Sequence, residues 1–256
     1  MPIRLIAVDL DKTLLHSDKT LSAFSAQTLC TCRNAGIRVV LATARTEAYC
    51  EEVVRAVCPD AVISCSGALA RAGDTVLFDR PIPSREADAL IAAILRCPSY
   101  RRMTVQTAES HFTSYPNNNG FSIPYDFTRP LHAPAYKITP ELPDPTDADR
   151  LRALFADCEA VRFTGEDWYR FVAKGCGKWP ALLSVAAHFG IAPADIAAFG
   201  DDVLDDEMLS RSGYGVAVAN ASPSTAAAAA YHCDSNDDDG VARWLRRTLS
   251  HLFTTL

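Results

Sequence analysis

Two carboxylates two residues apart, Asp9 and Asp11, close a nearly continuous apolar run that starts at Ile3. Residues at that spacing share a face of a strand. A second acidic group, Asp201, Asp202 and Asp205, follows the apolar run Ile196 to Phe199, with Gly200 between. Carboxylates brought together repel one another and raise each other's pKa. A hard divalent cation relieves that repulsion, and a donor set made only of oxygen suits Mg2+, which takes phosphate oxygens as further ligands. Such a centre also offsets the repulsion between an anionic nucleophile and an anionic ester. One carboxylate can then attack phosphorus, while a second protonates the departing alcohol and later activates water. Lys178, preceded by Gly175 and Gly177, supplies a cation for the phosphate. Thr43 and the backbone amides after Asp9 supply donors. Each group alone has an ordinary reading. Asp-x-Asp is common in surface turns, acids at 201–206 suit a helix N-terminus, Thr43 fits a cap and Lys178 a solvated lysine. Their joint order along the chain carries the chemistry.

That order requires elements that deliver all of them to one edge. Ile3–Leu10, Ile37–Ala42 and Ala61–Cys65 read as strands buried on both faces. Between them lie a helix capped by Ser22 that runs to about Asn34, where Gly36 ends it, and another opened by Thr46 and followed by Pro59. This alternation predicts an α/β fold with an open parallel sheet and helices on both sides. Chemistry in such sheets collects beyond the carboxyl ends of the strands. Thr43 and Arg45 follow the second strand there, and Ser66 and Gly67 the third.

The middle of the chain has another rhythm. Gly73-Asp74 separates two short strand-like segments, a hairpin signal. A helix over Ser84–Cys97, strands near 101–107, 110–115 and 135–139, a helix over Thr146–Ala156 and strands near 159–164 and 168–173 then predict an inserted α+β domain over 81–174. The flanking 1–80 and 175–256 form the parallel-sheet domain. After the insert come helix Lys178–Phe189, strand Ile196–Phe199, a short helix Asp205–Ser210, strand Val216–Val218, an alanine helix 224–230 with Pro223 in its first turn, and a last helix after Gly240.

Bulk properties narrow the classes. A net charge of −6 over 256 residues argues against a broad nucleic-acid surface. No apolar run approaches the ~18 residues that cross a bilayer, and the N-terminal run is too short for a signal-peptide core. The nine cysteines are odd in number and scattered, and Cys30-Thr31-Cys32 is too tight for a usual zinc pair. Free thiols in a reducing, cytoplasmic compartment are the simplest reading.

Asp9-Leu10-Asp11-Lys12-Thr13-Leu14 resembles the first motif of the haloacid dehalogenase (HAD) superfamily, and Leu41-Ala42-Thr43-Ala44-Arg45 the second. Lys174-Gly175-Cys176-Gly177-Lys178 is similar to the third, and Phe199-Gly200-Asp201-Asp202-Val203-Leu204-Asp205 to the fourth. The segments Cys65–Ala68, Gly215–Ala221 and Asp239–Ala242 add to it, and the large insert resembles the cap of the Cof-like phosphatase branch. The resemblance implies a Rossmann-like core and a Mg2+-dependent phosphatase acting on a small phosphorylated metabolite, such as a sugar phosphate, through an aspartyl-phosphate. It implies Asp9 as nucleophile and metal ligand, and Asp11 as general acid and base with its backbone carbonyl on the metal. Asp201 would ligate Mg2+, with Asp205 in support. Thr43, Lys178 and the amides of Leu10 and Ala44 would hold the phosphoryl group, with Asn220 positioning the lysine or the phosphate. Three departures stand out: Lys12 in place of a glycine, Leu204 in place of an asparagine, and Trp179-Pro180 in place of a small pair.

The same residues fit a phosphomutase or phosphotransferase, and the fold also serves non-catalytic binding proteins. Substrate recognition would fall to Arg45, Ser66 and Gly67, and in the insert to His111, Arg162, Arg129, Lys137 and Asn117–Asn119. Arg162 and Arg170 could equally lie on the outer face of the insert's sheet. The expected partner is a small phosphorylated molecule, with no nucleic acid or membrane, on a monomer or homodimer.

Overall fold

The computed structural model describes residues 2–108, 110–116, 122–163 and 165–253. In chain order the elements are β1 (Leu5–Val8), α1 (Ala23–Asn34), β2 (Arg38–Ala42), α2 (Glu51–Val57), β3 (Ala61–Ser64), β4 (Leu69–Ala72) and β5 (Thr75–Asp79). There follow α3 (Ser84–Ile94), β6 (Arg102–Gln106), β7 (His111–Thr113), β8 (Ser122–Pro124), β9 (Lys137–Glu141), α4 (Pro145–Leu154), β10 (Cys158–Arg162) and β11 (Tyr169–Ala173). The chain closes with α5 (Lys178–His188), β12 (Ile196–Gly200), α6 (Asp206–Arg211), β13 (Tyr214–Val218), α7 (Pro223–Ala228), β14 (Tyr231–Cys233) and α8 (Gly240–Thr248). It divides into two compact units, Met1–Phe78 with Gly177–Leu256, and Asp79–Cys176.

The first unit is built on an eight-stranded sheet in the order β14-β13-β12-β1-β2-β3-β4-β5. Strands β14 to β3 run parallel, and β4 turns back antiparallel on β3. Alternation along each strand feeds two cores. Ile6, Val8, Val39 and Leu41 pack with α1, α2 and α8, whereas Leu5, Ala7, Val40 and Ala42 pack with α5 and α6. A strand covered on both sides must be apolar at every position, which is why Leu5–Val8 is an unbroken hydrophobic run. The Ser22 side chain accepts from the Ser25 amide and caps α1, and Gly36 takes a φ of +90° just beyond its end. Thr46 opens a 3-10 turn over Glu47–Cys50 that runs into α2, without a side-chain cap bond.

The second unit has a six-stranded sheet in the order β10-β11-β9-β6-β7-β8, with β7 and β8 parallel and the other pairs antiparallel. Its core joins Met103, Val105, Ile138 and Phe171 to Leu90 and Ile94 of α3 and Leu151 of α4. Helix α3 stops at Ile94, short of the expected Cys97. Two three-residue strands, β8 and β14, have no sequence signal of their own, because pairing with a neighbouring strand alone defines them. No helix is long and apolar enough to cross a membrane among the described residues. None of the nine cysteines is in a disulfide.

Candidate active site

In the first unit, β1, β2, β3 and β12 lie side by side in parallel register, with Val8 beside Leu41 and Phe199, and Ala42 beside Ile63. Their carboxyl ends therefore release Asp9, Thr43, Cys65 and Asp201 at one edge of the sheet. Asp9 leaves β1 with its amide still bonded to the Phe199 carbonyl at 3.1 Å. Carboxylate oxygens of Asp9, Asp201 and Asp205 all lie within 4.8 Å of one another.

Lys178 starts α5 and reaches into this acid group. Its Nζ donates to Asp9 Oδ1 and to Asp205 Oδ1, both at 2.6 Å, and all three residues are buried. Burial works against the lysine's charge, but the Asp205 and Asp9 carboxylates outweigh it and hold the ammonium protonated. Burial pushes Asp9 up to about 8; Lys178 pulls it back, and the Asp205 and Asp201 charges add to the rise. Burial and then Asp205 push Asp201 up to about 6, although the Thr13 hydroxyl donates to its Oδ1 at 3.0 Å. Asp205 is braced on both oxygens. Lys178 holds Oδ1, and the amides of Asp201 and Asp202 reach Oδ2 at 3.2 and 3.3 Å. Those amides supply the polar support that Leu204 cannot. Three carboxylates facing one ammonium leave negative charge in excess, and all the donors are oxygens. The set fits a hard divalent cation such as Mg2+.

The backbone makes this approach possible. A Cβ on Gly200 would stand 2.4 Å from the Cβ of Asp205, so only glycine leaves room for that carboxylate. The loops after β2 and β3 are knitted together: the Ser66 amide donates to the Thr43 carbonyl at 3.1 Å, and the Cys65 amide to the Arg45 carbonyl at 2.7 Å. Gly67, at a φ of +89°, then packs directly on the backbone of Gly177 and Lys178.

A family model of haloacid dehalogenase-like hydrolases matches residues 6–245, nearly the whole chain. The chain belongs to that family. HMP-PP phosphatase of Cronobacter sakazakii is 26% identical to it, over 97% of this chain and 96% of that protein. Phosphoglycolate phosphatase of Methanoculleus marisnigri is 24% identical, over 98% of this chain and 99% of that protein. Among solved structures, a haloacid dehalogenase-like hydrolase from Bacteroides thetaiotaomicron matches with a TM-score of 0.82 at 22% identity, over 96% of this chain and 99% of that one. A HAD subclass IIB sugar phosphatase matches with the same TM-score of 0.82 at 21% identity, over 96% and 98% of the two chains. These structural likenesses carry the fold.

In this HAD hydrolase the sequence candidates do not all meet. Asp9, Lys178, Asp201 and Asp205 do. The Asp11 carboxylate stands outside the acid group and is held by Arg45, whose Nε and Nη2 reach its two oxygens at 2.8 and 2.5 Å. Burial opposes the ionisation of Asp11, and the guanidinium overrides it, keeping the carboxyl below its usual range. Arg45, a substrate candidate from sequence, is thus engaged with Asp11. Thr43 is fully buried, and its Oγ1 accepts from the Arg45 amide at 3.1 Å. Leu10 is buried in the turn after β1, whose Lys12 takes a φ of +60°. Ala44 lies between Thr43 and Arg45 in the loop after β2, and Ser66 is buried in the loop after β3.

Asn220 makes no hydrogen bond to Lys178 or to the acid group. Its Nδ2 donates to the Lys12 carbonyl at 2.7 Å, and its Oδ1 accepts from the Asn236 amide at 3.0 Å. It braces the strained turn at Lys12. In the second unit, Arg162 is committed to the Glu166 carbonyl and the Asp167 carboxylate, each at 2.7 Å. His111 pairs through Nδ1 with Ser122 Oγ at 2.9 Å. Arg170 is buried, not on an outer face. Asn117–Asn119 lie outside the described residues. Sequence reasoning did not assign Thr13 to the acid group, nor Gly67 and Gly200 to the close contacts they make. The Gly200–Asp205 spacing was the one visible hint.

Proposed function

We propose that this hydrolase is a Mg2+-dependent phosphatase that removes the phosphoryl group of a small phosphorylated metabolite through an aspartyl-phosphate on Asp9. The buried contact between Asp9 Oδ1 and Lys178 Nζ at 2.6 Å, inside a three-carboxylate group at the end of β1, carries this reading. Two of its relatives, a phosphatase of HMP-PP and a phosphatase of phosphoglycolate, support a small phosphorylated molecule as the substrate.

Asp9 and Asp201 would hold the cation, with Asp205 fixed behind them by Lys178 and two backbone amides. When bound, Mg2+ supplies charge neutralisation for a carboxylate and a phosphate that would otherwise repel. An oxygen of Asp9 attacks phosphorus, and the bond from phosphorus to the ester oxygen breaks. The departing oxygen takes a proton from Asp11. Water then loses a proton to Asp11 and attacks phosphorus, releasing inorganic phosphate and restoring Asp9. Lys178 offsets charge on the transferring group, and the Thr43 hydroxyl donates to one of its oxygens. The ion pair with Arg45 leaves Asp11 as a carboxylate, the form that activates water, so donation to the leaving group requires Asp11 first to take up a proton.

The test is phosphate release from 4-nitrophenyl phosphate and a panel of phosphorylated sugars and acids, with Mg2+ and then with chelator. Release that needs the metal and is lost in Asp9→Asn supports the reading. Isomer interconversion without phosphate release would assign a mutase, and no turnover of any ester a non-catalytic protein.

A further inference from the structure

The turn after β1 does more than end the strand. The Leu14 amide closes on the Asp9 carbonyl at 3.2 Å and the Leu15 amide on the Leu10 carbonyl at 2.8 Å, each bond reaching back five residues. Wide turns of this kind are rare and recur at functional sites. Within it Asp11 is extended and Lys12 is left-handed, at a φ of +60°. A lysine rests in that region only where its surroundings impose it. Two asparagines from late in the chain do so. Asn220 Nδ2 donates to the Lys12 carbonyl at 2.7 Å, and Asn236 Nδ2 to the Leu15 carbonyl at 2.9 Å. The Asn236 amide donates in turn to Asn220 Oδ1 at 3.0 Å, so the two asparagines act together.

Thr13 follows Lys12 and precedes Leu15 by two residues, so the braced carbonyls flank it, and it is buried. Its hydroxyl donates to Asp201 Oδ1 at 3.0 Å. The main chain of Asp201 is fixed as well. Its amide donates to Asp205 Oδ2 at 3.2 Å, and its carbonyl accepts from the Ser222 amide at 2.8 Å. What is left to set in an aspartate so held is the rotation of its carboxylate, and the Thr13 bond sets it. Groups that brace a metal ligand in this way change metal affinity by about 10–100-fold.

We propose that Thr13 is a positioning residue for the cation: it holds the Asp201 carboxylate by Oδ1 and leaves the other oxygen for the metal, while Asn220 and Asn236 act on the same centre through the Lys12 turn. The proposal rests on the reading of the acid group as a Mg2+ centre. It also gives the left-handed Lys12 a purpose. The backbone reversal there is what carries the Thr13 hydroxyl to Asp201, and the asparagines hold a lysine in a conformation that glycine adopts unaided.

Calorimetric titration of the metal-free, full-length protein with Mg2+ tests the proposal, with the rise in melting temperature on adding Mg2+ as a second readout. Thr13→Val keeps the shape of the side chain, removes the donor and weakens Mg2+ binding about tenfold or more. Thr13→Ser keeps the hydroxyl and restores most of the affinity. A threonine with only a structural role would lower melting with and without Mg2+ alike and leave the Kd in place. Asn220→Ala weakens Mg2+ binding severalfold in wild type and adds less in the Thr13→Val background, where the path to Asp201 is already cut. Equal Mg2+ affinity in wild type and Thr13→Val, or a Thr13→Ser as weak as Thr13→Val, overturns the proposal. So does a wild type that takes up no Mg2+. Strict additivity of Asn220→Ala and Thr13→Val overturns the part assigned to the asparagines. Phosphate release from 4-nitrophenyl phosphate keeps the two readings apart. Mg2+ binding that weakens in Thr13→Val while no ester is hydrolysed supports Thr13 and overturns the phosphatase reading. Mg2+-dependent release with an unchanged Kd does the reverse.

Discussion

Gly67 meets Gly177 backbone to backbone: a Cβ on Gly67 would stand 2.1 Å from the Gly177 carbonyl carbon and 2.5 Å from the Lys178 amide nitrogen. The loop after β3 thereby sets where α5 begins, and with it where the Lys178 ammonium lies. Gly67→Ala adds this overlap to the strain of a positive φ, so a loss of about 2–4 kcal/mol is expected. Thermal melting reads the loss. Turnover should fall further than melting accounts for, because Lys178 moves off Asp9. A variant that melts and turns over like wild type would show that the contact positions nothing.

Asp9→Asn should reduce turnover by about 10^4-fold or more, the scale on which removal of a nucleophile acts. Asparagine keeps the shape and lacks the buried charge, and Lys178 retains Asp205 at 2.6 Å. Melting of the metal-free protein should therefore stay within about 1 kcal/mol of wild type. Single-turnover assays that still detect phosphate release at the wild-type rate would remove Asp9 from the chemistry.

Arg45 holds Asp11 ionised, so Arg45→Met should let the Asp11 pKa rise. The acidic limb of the kcat/KM profile then moves to higher pH. In stability the sign follows from a carboxyl held low in the folded state. The pair's contribution is present above the ordinary carboxylate range and fades as pH falls through it. The two proteins should therefore differ in melting at neutral pH and converge in acid. A profile whose acidic limb stays in place excludes Asp11 as the titrating group.

Asp9 and Asp201 hold protons up to about 8 and about 6 when no cation is bound. The native state then binds more protons than the unfolded chain between about pH 4 and 8, so metal-free stability falls as pH rises through that window. Mg2+ competes with those protons, and its affinity rises over the same range. The melting increase on adding Mg2+ in place of chelator should grow steadily from pH 5 to pH 9. An increase that is flat with pH would place the cation elsewhere.

Asn220→Ala removes the bond to the Lys12 carbonyl and leaves the Asn236 amide without its acceptor, an expected cost of about 1–2 kcal/mol. Lys12 stands at a φ of +60°, where glycine is at ease, so Lys12→Gly in the same background should recover part of the loss. Denaturant titration of the single and double variants measures the coupling. Strict additivity would show that Asn220 does not hold the Lys12 turn.

The sequence by itself determined the periodic, locally encoded features. Strands buried on both faces must be apolar throughout, so β1, β2 and β12 could be read from Ile3–Leu10, Ile37–Ala42 and Ile196–Phe199, and the carboxylates that close them followed from parallel topology. The Ser22 cap and the stop at Gly36 were legible because one residue type does one local job. Tertiary structure alone decided the rest. Whether Asp11 joins the acid group or turns to Arg45 depends on residues 34 positions apart. Asn220 was expected to position the lysine or the phosphate, and its bond to the Lys12 carbonyl spans 208 residues. Strands β8 and β14 exist only as partners of β7 and β13. Arg170 alternates with Phe171 in any strand, but only the fold shows that both of its faces are buried. Asp9 shows the same division most simply: its place at the strand end was written in the apolar run before it, while its raised pKa comes from burial and from Asp201 and Asp205, which approach from the far end of the chain.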